Sequence, residues 1–308
     1  MRQLSKPYIK ILSLSIVFFM IVYIISIIFT LQDKETYASL SHVTVGTYII
    51  LAILSLSNYF LRFVRWYIFI HPMNENISKL RHCLIYISGF ALTTTPGKAG
   101  ETIRSVYLAG LDIKYAKSIG VFFSERLLDV LAVLCLSIIL FSFSFPGYFI
   151  WILSSIILVF TILIFFRSQL LSNFIDKMIK HQSKSAIIDF QNTIRTLLDN
   201  KSLLKVMPLS VLAWGFQSYG LFIIVNALGF EGNIWLIMGI YNISILAGAI
   251  SFIPGGIGAT EATISVLLVN IGMDLPLAII ASIIVRGMTL WFAVGLGLIS
   301  MIILNFLI

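Results

Sequence analysis

Charged side chains are scarce in this sequence. Asp, Glu, Lys and Arg together make up 11% of its 308 residues, whereas hydrophobic residues make up 59%. The mean hydropathy of +1.02 is far above the range of soluble domains. This balance excludes an ordinary soluble globular protein and predicts an all-α polytopic membrane protein.

Cysteine and histidine are also rare, and neither occurs in a metal-binding pattern. The two cysteines, Cys83 and Cys135, form no CxxC or zinc spacing, and the four histidines form no HExxH pair. We therefore expect no metal and no cofactor. The net charge of +8 lies in a few loops without a basic and aromatic groove, which indicates membrane topology and excludes a nucleic-acid partner.

Long uncharged runs predict six transmembrane spans in a single domain, residues 1–308. The first run is too long for the core of a signal peptide and has no small-residue cleavage site, so we interpret it as a retained helix. A basic segment, 167–205, has helical apolar spacing at 174–179 and is typical of an interfacial helix. The predicted helices are 11–31, 43–70, 119–143, one ending at 166, 206–230, 234–253, 259–271 and 275 almost to the C-terminus.

Two short stretches, 95–101 and 252–261, break the hydrophobic pattern in the same way. Pro removes a backbone donor and Gly weakens a helix, so polar backbone at such breaks lines a cavity or packs inside protein. The pieces flanking the first break, 83–95 and 99–110, are each too short to span a bilayer, which predicts re-entrant hairpins. If each hairpin instead crosses the membrane twice, the number of spans rises from six to eight. The break residues are Pro96, Gly97, Gly100, Pro254, Gly255, Gly256 and Gly258.

The two breaks belong to an internal repeat with an offset of 160 residues. Glu101 and Glu261 end the breaks, and Arg126 and Arg286 each follow 25 positions later. We divide the chain into repeat one, about 1–145, and repeat two, about 146–308. Discontinuous helices at corresponding positions of two repeats are typical of a transporter binding site. The alternatives are a pair of packing kinks and Glu-Arg pairs that only fix helix packing.

The distribution of Lys and Arg predicts the orientation. By the positive-inside rule, both termini and segment 167–205 are cytoplasmic, and the loops around Asp33, Tyr148, Glu231 and Asp274 are outside. The two hairpins then enter from opposite sides, which is an inverted-topology repeat. We expect a multi-pass protein of the plasma or inner membrane.

The candidate site consists of ionisable residues within apolar segments. Such residues are costly in a membrane and usually face a cavity or a charged partner. In helix 119–143, Glu125, Arg126 and Asp129 share one face. Two arginines near the end of helix 43–70, Arg62 and Arg65, are interpreted as snorkelling to the headgroups. The predicted substrate-binding or coupling residues are Lys98, Glu101, Arg104, Arg126, Glu261 and Arg286. The positive charge of the lysine and the arginines among them, with the N-termini of the restarted helices, favours an anionic headgroup.

These motifs resemble a known family. The Pro-Gly-x-x-Gly-Glu-like loop from Pro96 to Glu101, with Arg104, and the Pro-Gly-Gly-Ile-Gly-x-x-Glu loop from Pro254 to Glu261 resemble the transmembrane region of lysyl-phosphatidylglycerol synthases and of stand-alone flippase-like proteins. The resemblance implies a membrane domain that handles a phospholipid or a polyprenyl-linked lipid. In two-domain synthases a separate soluble domain performs lipid aminoacylation, and these 308 residues contain no such domain, so we do not expect an enzyme.

The sequence therefore predicts a flippase-like transporter that moves an anionic phospholipid or polyprenyl-phosphate-linked lipid between leaflets. One alternative is an intramembrane lipid-modifying enzyme with Glu101, Glu125 or Asp129 as acid or base. A second is an accessory or scaffold subunit of cell-envelope lipid synthesis. The expected partner is the membrane lipid, and a homo-oligomer and a separate lipid-synthesis enzyme are left open as further partners.

Overall fold

The computed structural model describes residues 42–144 and 184–307, with isolated positions at 25, at 40 and between 153 and 168. Within these ranges the chain is helical and has no β-strand. The first predicted span and the helix ending at 166 lie outside the described residues except for these isolated positions, and the apolar spacing at 174–179 lies outside them entirely. The described part is therefore an all-α structure, as the composition predicts.

The described residues form ten α-helices and several short helical turns. Their bounds in chain order are α1 Val45–Ile70, α2 Lys79–Ser88, α3 Ile103–Ala109, α4 Tyr115–Ser144, α5 Lys184–Leu197, α6 Asn200–Ala227, α7 Ile234–Ile250, α8 Ala259–Asn270, α9 Leu275–Arg286 and α10 Phe292–Leu307. Short 3₁₀ segments cover His71–Met73, Gly89–Leu92, Pro96–Thr102 and Pro254–Gly256. Both predicted breaks thus interrupt helical structure.

Three described segments are long and apolar enough to cross a membrane. They are Val45–Met73, Asn200–Ala227 and Leu275–Phe306, while Ile234–Ile250 is a shorter apolar helix. The first two contain α1 and α6, which pack along each other, and α4 packs against α7. Helices α1 and α4 contribute to both buried hydrophobic clusters, one around Trp66 and the other around Leu221, so they join the two parts of the core.

The start of α6 differs from the prediction. The helix begins at Asn200, where the side chain of Asp199 accepts a hydrogen bond of 2.8 Å from the Ser202 amide. Pro208 therefore lies inside the helix and not in its first turn, which corrects the predicted start at 206. The polar cap extends the helix beyond its apolar part, so hydropathy alone places the boundary too late.

A π-helical turn at Gly287–Trp291 separates α9 from α10, where the sequence predicts one continuous helix. Side chains of α1 bond to carbonyls in this turn. Ser55 Oγ donates to the Met288 carbonyl at 2.7 Å, and the Tyr59 hydroxyl donates to the Thr289 carbonyl. Single π-turns occur frequently at functional sites. This one begins directly after Arg286.

The offset of 160 residues recurs in the backbone. The turns after α3 and α8 have the same pair of hydrogen bonds to one carbonyl and then a residue with positive φ, and helices start 160 positions apart at Tyr115 and Leu275. After α3, the amides of Leu111 and Ile113 donate to the Leu108 carbonyl at 2.9 and 3.1 Å, and Asp112 has a φ of 60°. After α8, the amides of Ile271 and Met273 donate to the Leu268 carbonyl at 3.2 and 3.1 Å, and Gly272 has a φ of 101°.

Candidate functional site: a cation-lined cavity at the two helix breaks

The two helix breaks meet in the folded chain. A Cβ atom added to Gly255 would lie 3.3 Å from the Cα of Thr94, just before the first break. Gly255 and Gly256 have φ of +65° and +64°, and a Cβ on Gly256 would lie 3.1 Å from the Cα of Gly248. Glycine is therefore needed here both for the left-handed backbone and for the close approach of α7.

The first break is a left-handed turn that includes a lysine. Gly97 and Lys98 have φ of 60° and 57°. The turn is held at Thr95, whose carbonyl accepts from the Lys98 amide at 2.8 Å and whose Oγ1 accepts from the Gly100 amide at 2.6 Å. Left-handed φ is uncommon for a long side chain and marks a position where surrounding structure imposes the conformation.

The two breaks line a shared cavity of about 230 Å³. Its wall combines basic and apolar side chains. Among the residues that the structure describes, Asp129 is the only acidic one in this wall. Gly97, Gly255 and Gly256 also line it. The basic residues of the wall are Arg62, Lys98, Arg126 and Arg286, and apolar ones include Val130, Val133, Ile245, Leu246, Phe252 and Ile253.

Asp129 on α4 is the centre of the ionic network around this cavity. One carboxylate oxygen accepts from Arg65 Nη1 at 2.8 Å and from the Trp214 indole at 3.2 Å. The other lies 3.0 Å from Arg126 Nη2 and 3.5 Å from Arg62 Nη2. Because the carboxylate accepts from three donors and is also ion-paired to Arg126, it holds three arginines together and has little capacity left for another cation.

Two glutamates lie behind the arginines and do not line the cavity. Glu101 pairs with Arg104 at 2.5 Å, accepts from Thr93 Oγ1 at 2.8 Å and lies 3.6 Å from Arg126. Glu125 pairs with Arg104 at 3.1 Å and lies 3.6 Å from Arg65 Nη2. Both carboxylates are essentially buried, so each compensates the charge of a buried guanidinium.

The second break is held by one glutamate and one arginine. Glu261 Oε1 accepts from Arg286 Nε at 2.9 Å, and its Oε2 accepts from the Gly258 amide at 2.7 Å. Arg286 Nη2 also donates to the Gly255 carbonyl at 2.7 Å. The pair therefore joins α9 to the loop and caps the start of α8.

The structure distributes the predicted site residues over two roles. Lys98, Arg126 and Arg286 line the cavity. Glu101 and Glu261 bond to the cations and to backbone or hydroxyl groups behind the wall. The remaining ones, Arg104, Pro96, Gly100, Pro254 and Gly258, are outside the lining, and Arg104 lies with its guanidinium carbon 4.3 Å from the ring centre of Tyr86.

Arg62 and Arg65 were interpreted as snorkelling residues, and that interpretation is wrong. Both are buried and ion-paired to Asp129, with Arg65 completely inaccessible. The signal is their depth: Arg62 lies eight residues before the end of α1 at Ile70, roughly 12 Å along the helix. An arginine so far from the helix end requires an internal partner. No sequence pattern singled out Trp214.

A different pair lies on the predicted cytoplasmic side, outside the spans. Lys114 Nζ is 2.8 Å from the carboxylate of Asp189 on α5. The hydrogen bond and the positive charge of this lysine lower the pKa of the Asp189 carboxyl. Because the pair is exposed, it provides a matched comparison for the buried pairs at the cavity.

Helices suited to membrane spans, two broken helices in contact and a buried ionic network define a polytopic membrane protein with an internal polar cavity. Comparison with known proteins identifies its family. The family model for the lysylphosphatidylglycerol synthase TM region matches residues 10–297, and the chain belongs to this family. The resemblance stated from the two loops is thereby confirmed.

Two relatives of this chain are UPF0104 membrane proteins. One, PH1989 of Pyrococcus horikoshii, is 26% identical over 267 residues, covering 76% of this chain and 80% of the relative. The other, from Methanothermobacter thermautotrophicus, is 26% identical over 120 residues, covering 39% of this chain and 36% of the relative. Both are described only as membrane proteins.

Proposed function

We propose that this protein is a flippase-like transporter that moves an anionic phospholipid or polyprenyl-phosphate-linked lipid between the leaflets of the cell membrane. The observation that carries the proposal is the cavity where the two breaks meet, because its wall combines basic and apolar side chains. The family name adds support for a lipid substrate.

The basic residues suit a lipid headgroup. An anion that leaves water for the membrane interior needs charged donors in place of its hydration shell. Lys98 and the guanidinium groups of Arg62, Arg126 and Arg286 line the space where such a headgroup would lie. Arginine also matches the paired oxygens of a phosphate group in geometry.

The apolar residues suit the hydrocarbon chain of the same lipid. Phe252 lines the cavity and is 76% exposed, and Ile250 just before it is 73% exposed. In a membrane these surfaces face hydrocarbon and cost nothing, unlike in water. A lipid could therefore place its headgroup among the cations while its chain passes Phe252 into the bilayer.

Alternating access needs two similar halves that move about a central site. An inverted repeat is supported by the paired breaks, by the matching turns after α3 and α8, and by the offset of 160 residues between the Glu and Arg pairs. In this proposal Glu101 and Glu261 hold arginines in position or take up a coupling proton. The re-entrant form of the hairpins belongs to the same proposal.

The decisive variant is Glu261→Gln. The amide cannot satisfy both Arg286 Nε and the Gly258 amide as the carboxylate does, so Arg286 loses its charge partner at the cavity wall. We expect at least a tenfold loss of fluorescent anionic-lipid movement in reconstituted vesicles, on the order of a lost charge-assisted bond, with the purified protein still folded.

Glu231→Gln is the matched control, because Glu231 is exposed in a loop. It should transport at the wild-type rate. If the purified wild-type protein moved no anionic lipid but changed one covalently, and Glu101→Gln stopped that change, the enzyme alternative would replace this proposal.

The orientation is part of the proposal, with both termini and segment 167–205 in the cytoplasm. Single cysteines at positions 33 and 184, in a chain with Cys83→Ser and Cys135→Ala, test it in intact cells. An impermeant thiol reagent should label position 33 and leave position 184 unlabelled until the cells are opened. The reverse pattern would contradict the orientation and the inverted arrangement derived from it.

A further inference from the structure

The ionic network at the cavity has an excess of positive charge. Among the described residues it contains six basic side chains, Arg62, Arg65, Lys98, Arg104, Arg126 and Arg286, and four carboxylates, Glu101, Glu125, Asp129 and Glu261. With each group in its ordinary ionised form, six cations against four anions leave two positive charges. Uncompensated charge in a membrane interior is strongly unfavourable, so this excess favours the binding of an anion.

The excess lies on the cavity side of the network. Three carboxylates, Glu101, Glu125 and Glu261, are outside the cavity wall, whereas four of the six cations are part of it. Within the part of the chain that the structure describes, no carboxylate lies within salt-bridge distance of Lys98, and its Nζ is 5.9 Å from the ring centre of Trp214. The missing negative charge is therefore expected inside the cavity.

Hydrogen-bond donors on these cations are also unused. Among the described residues, Arg126 Nε and Arg62 Nε are buried and have no hydrogen-bond partner. Buried donors without acceptors are costly, and a tetrahedral phosphate offers several acceptor oxygens. The Lys98 ammonium adds three donors beside them.

We infer that the cavity takes a phosphomonoester headgroup carrying two negative charges, in preference to a phosphodiester carrying one. This inference rests on the proposed function, since it names the substrate class of the same site. A terminal phosphate bears close to two negative charges at neutral pH, whereas a phosphodiester bears one. Only the former neutralises the excess in the network, and it has an additional terminal oxygen for the unused donors.

Lys98 determines this preference, because it is the cation without a carboxylate partner in the described network. Replacing it by methionine lowers the excess from two charges to one and keeps much of the side-chain volume. A phosphodiester then neutralises the excess charge of the variant as fully as a phosphomonoester neutralises that of the wild type. The Lys98→Met variant should therefore lose its discrimination between the two headgroups.

The experiment measures binding to the purified full-length chain by native mass spectrometry, with phosphatidic acid, phosphatidylglycerol and inorganic phosphate as probes. Wild type should bind phosphatidic acid at least about tenfold more tightly than phosphatidylglycerol, the scale of one charged hydrogen bond. Lys98→Met should lower the affinity for phosphatidic acid by about tenfold and leave the affinity for phosphatidylglycerol nearly unchanged. Lys98→Arg should restore the preference, and exposed Lys201→Met should match wild type.

Equal affinity of wild type for the two lipids, or an equal loss of both in Lys98→Met, would overturn the inference. If inorganic phosphate bound as tightly as phosphatidic acid, the dianion site would stand but its ligand would be free phosphate, which contradicts the proposed lipid transport. Preferential binding of phosphatidic acid without movement of any lipid in vesicles would likewise keep the headgroup inference and reject the proposed function.

Discussion

An Asp129→Asn variant should be less stable than wild type by about 3–5 kcal/mol, the cost of removing one partner from a buried ion pair. Asp129 is in contact with Arg62, Arg65 and Arg126, and with the indole of Trp214. Without its charge, three guanidinium groups face one another in a region from which water is largely excluded. The loss of mutual attraction and the repulsion that remains both oppose folding.

Unfolding of the purified variant by a graded denaturing detergent, followed by circular dichroism, measures this effect. The double variant Asp129→Asn with Arg65→Met removes one of the uncompensated cations and should recover part of the lost stability, which a double-mutant cycle quantifies. Asp189→Asn is the control, because its pair with Lys114 is exposed and should contribute little. An Asp129→Asn variant as stable as wild type would show that the network does not support the fold.

Composition and hydropathy were sufficient to predict the class of fold and most helix positions. They fail where a polar group decides a boundary, as at the start of α6, or where tertiary contacts change the helix type, as in the turn after Arg286. In that turn, two side chains of α1 donate hydrogen bonds to backbone carbonyls. Hydropathy contains no information about such contacts between distant segments.

The site could be predicted in part. The equal spacing of Glu101 and Arg126 with Glu261 and Arg286 led to four residues that the structure places around the two breaks. The pairing of Asp129 with helix α1 could not be predicted, because it joins residues more than 60 positions apart that share no motif. Depth within the span was the available signal for those arginines, and snorkelling was the wrong interpretation of it.

The second large effect concerns the packing of α10 against the segment before the first break. Gly297 is buried where α10 meets residues Gly89–Leu92, and a Cβ atom there would lie 2.1 Å from the Ala91 amide nitrogen and 2.7 Å from the Phe90 carbonyl carbon. The conflict is with backbone atoms, which cannot rotate away as a side chain can. Gly297→Ala should therefore destabilise the protein by about 3 kcal/mol, the upper end of typical overpacking.

Gly295, two residues earlier on α10, provides the matched control. It is exposed, and a Cβ atom there meets nothing within 4 Å. Gly295→Ala gains helix propensity, so it should leave stability unchanged or raise it by up to about 1 kcal/mol. The two substitutions are chemically identical, but only Gly297→Ala should lower the midpoint of thermal unfolding in detergent.

Gly297→Ala should also affect the cavity, because Phe90 belongs to the cavity wall. A displaced Phe90 would shift the contact of its ring with Arg62, now 5.7 Å from ring centre to guanidinium carbon. We therefore expect Gly297→Ala to weaken phosphatidic acid binding even at temperatures where it remains folded, while Gly295→Ala binds as wild type. If Gly297→Ala were as stable as Gly295→Ala, the close contact between α10 and the Phe90 segment would be absent from the protein in its membrane.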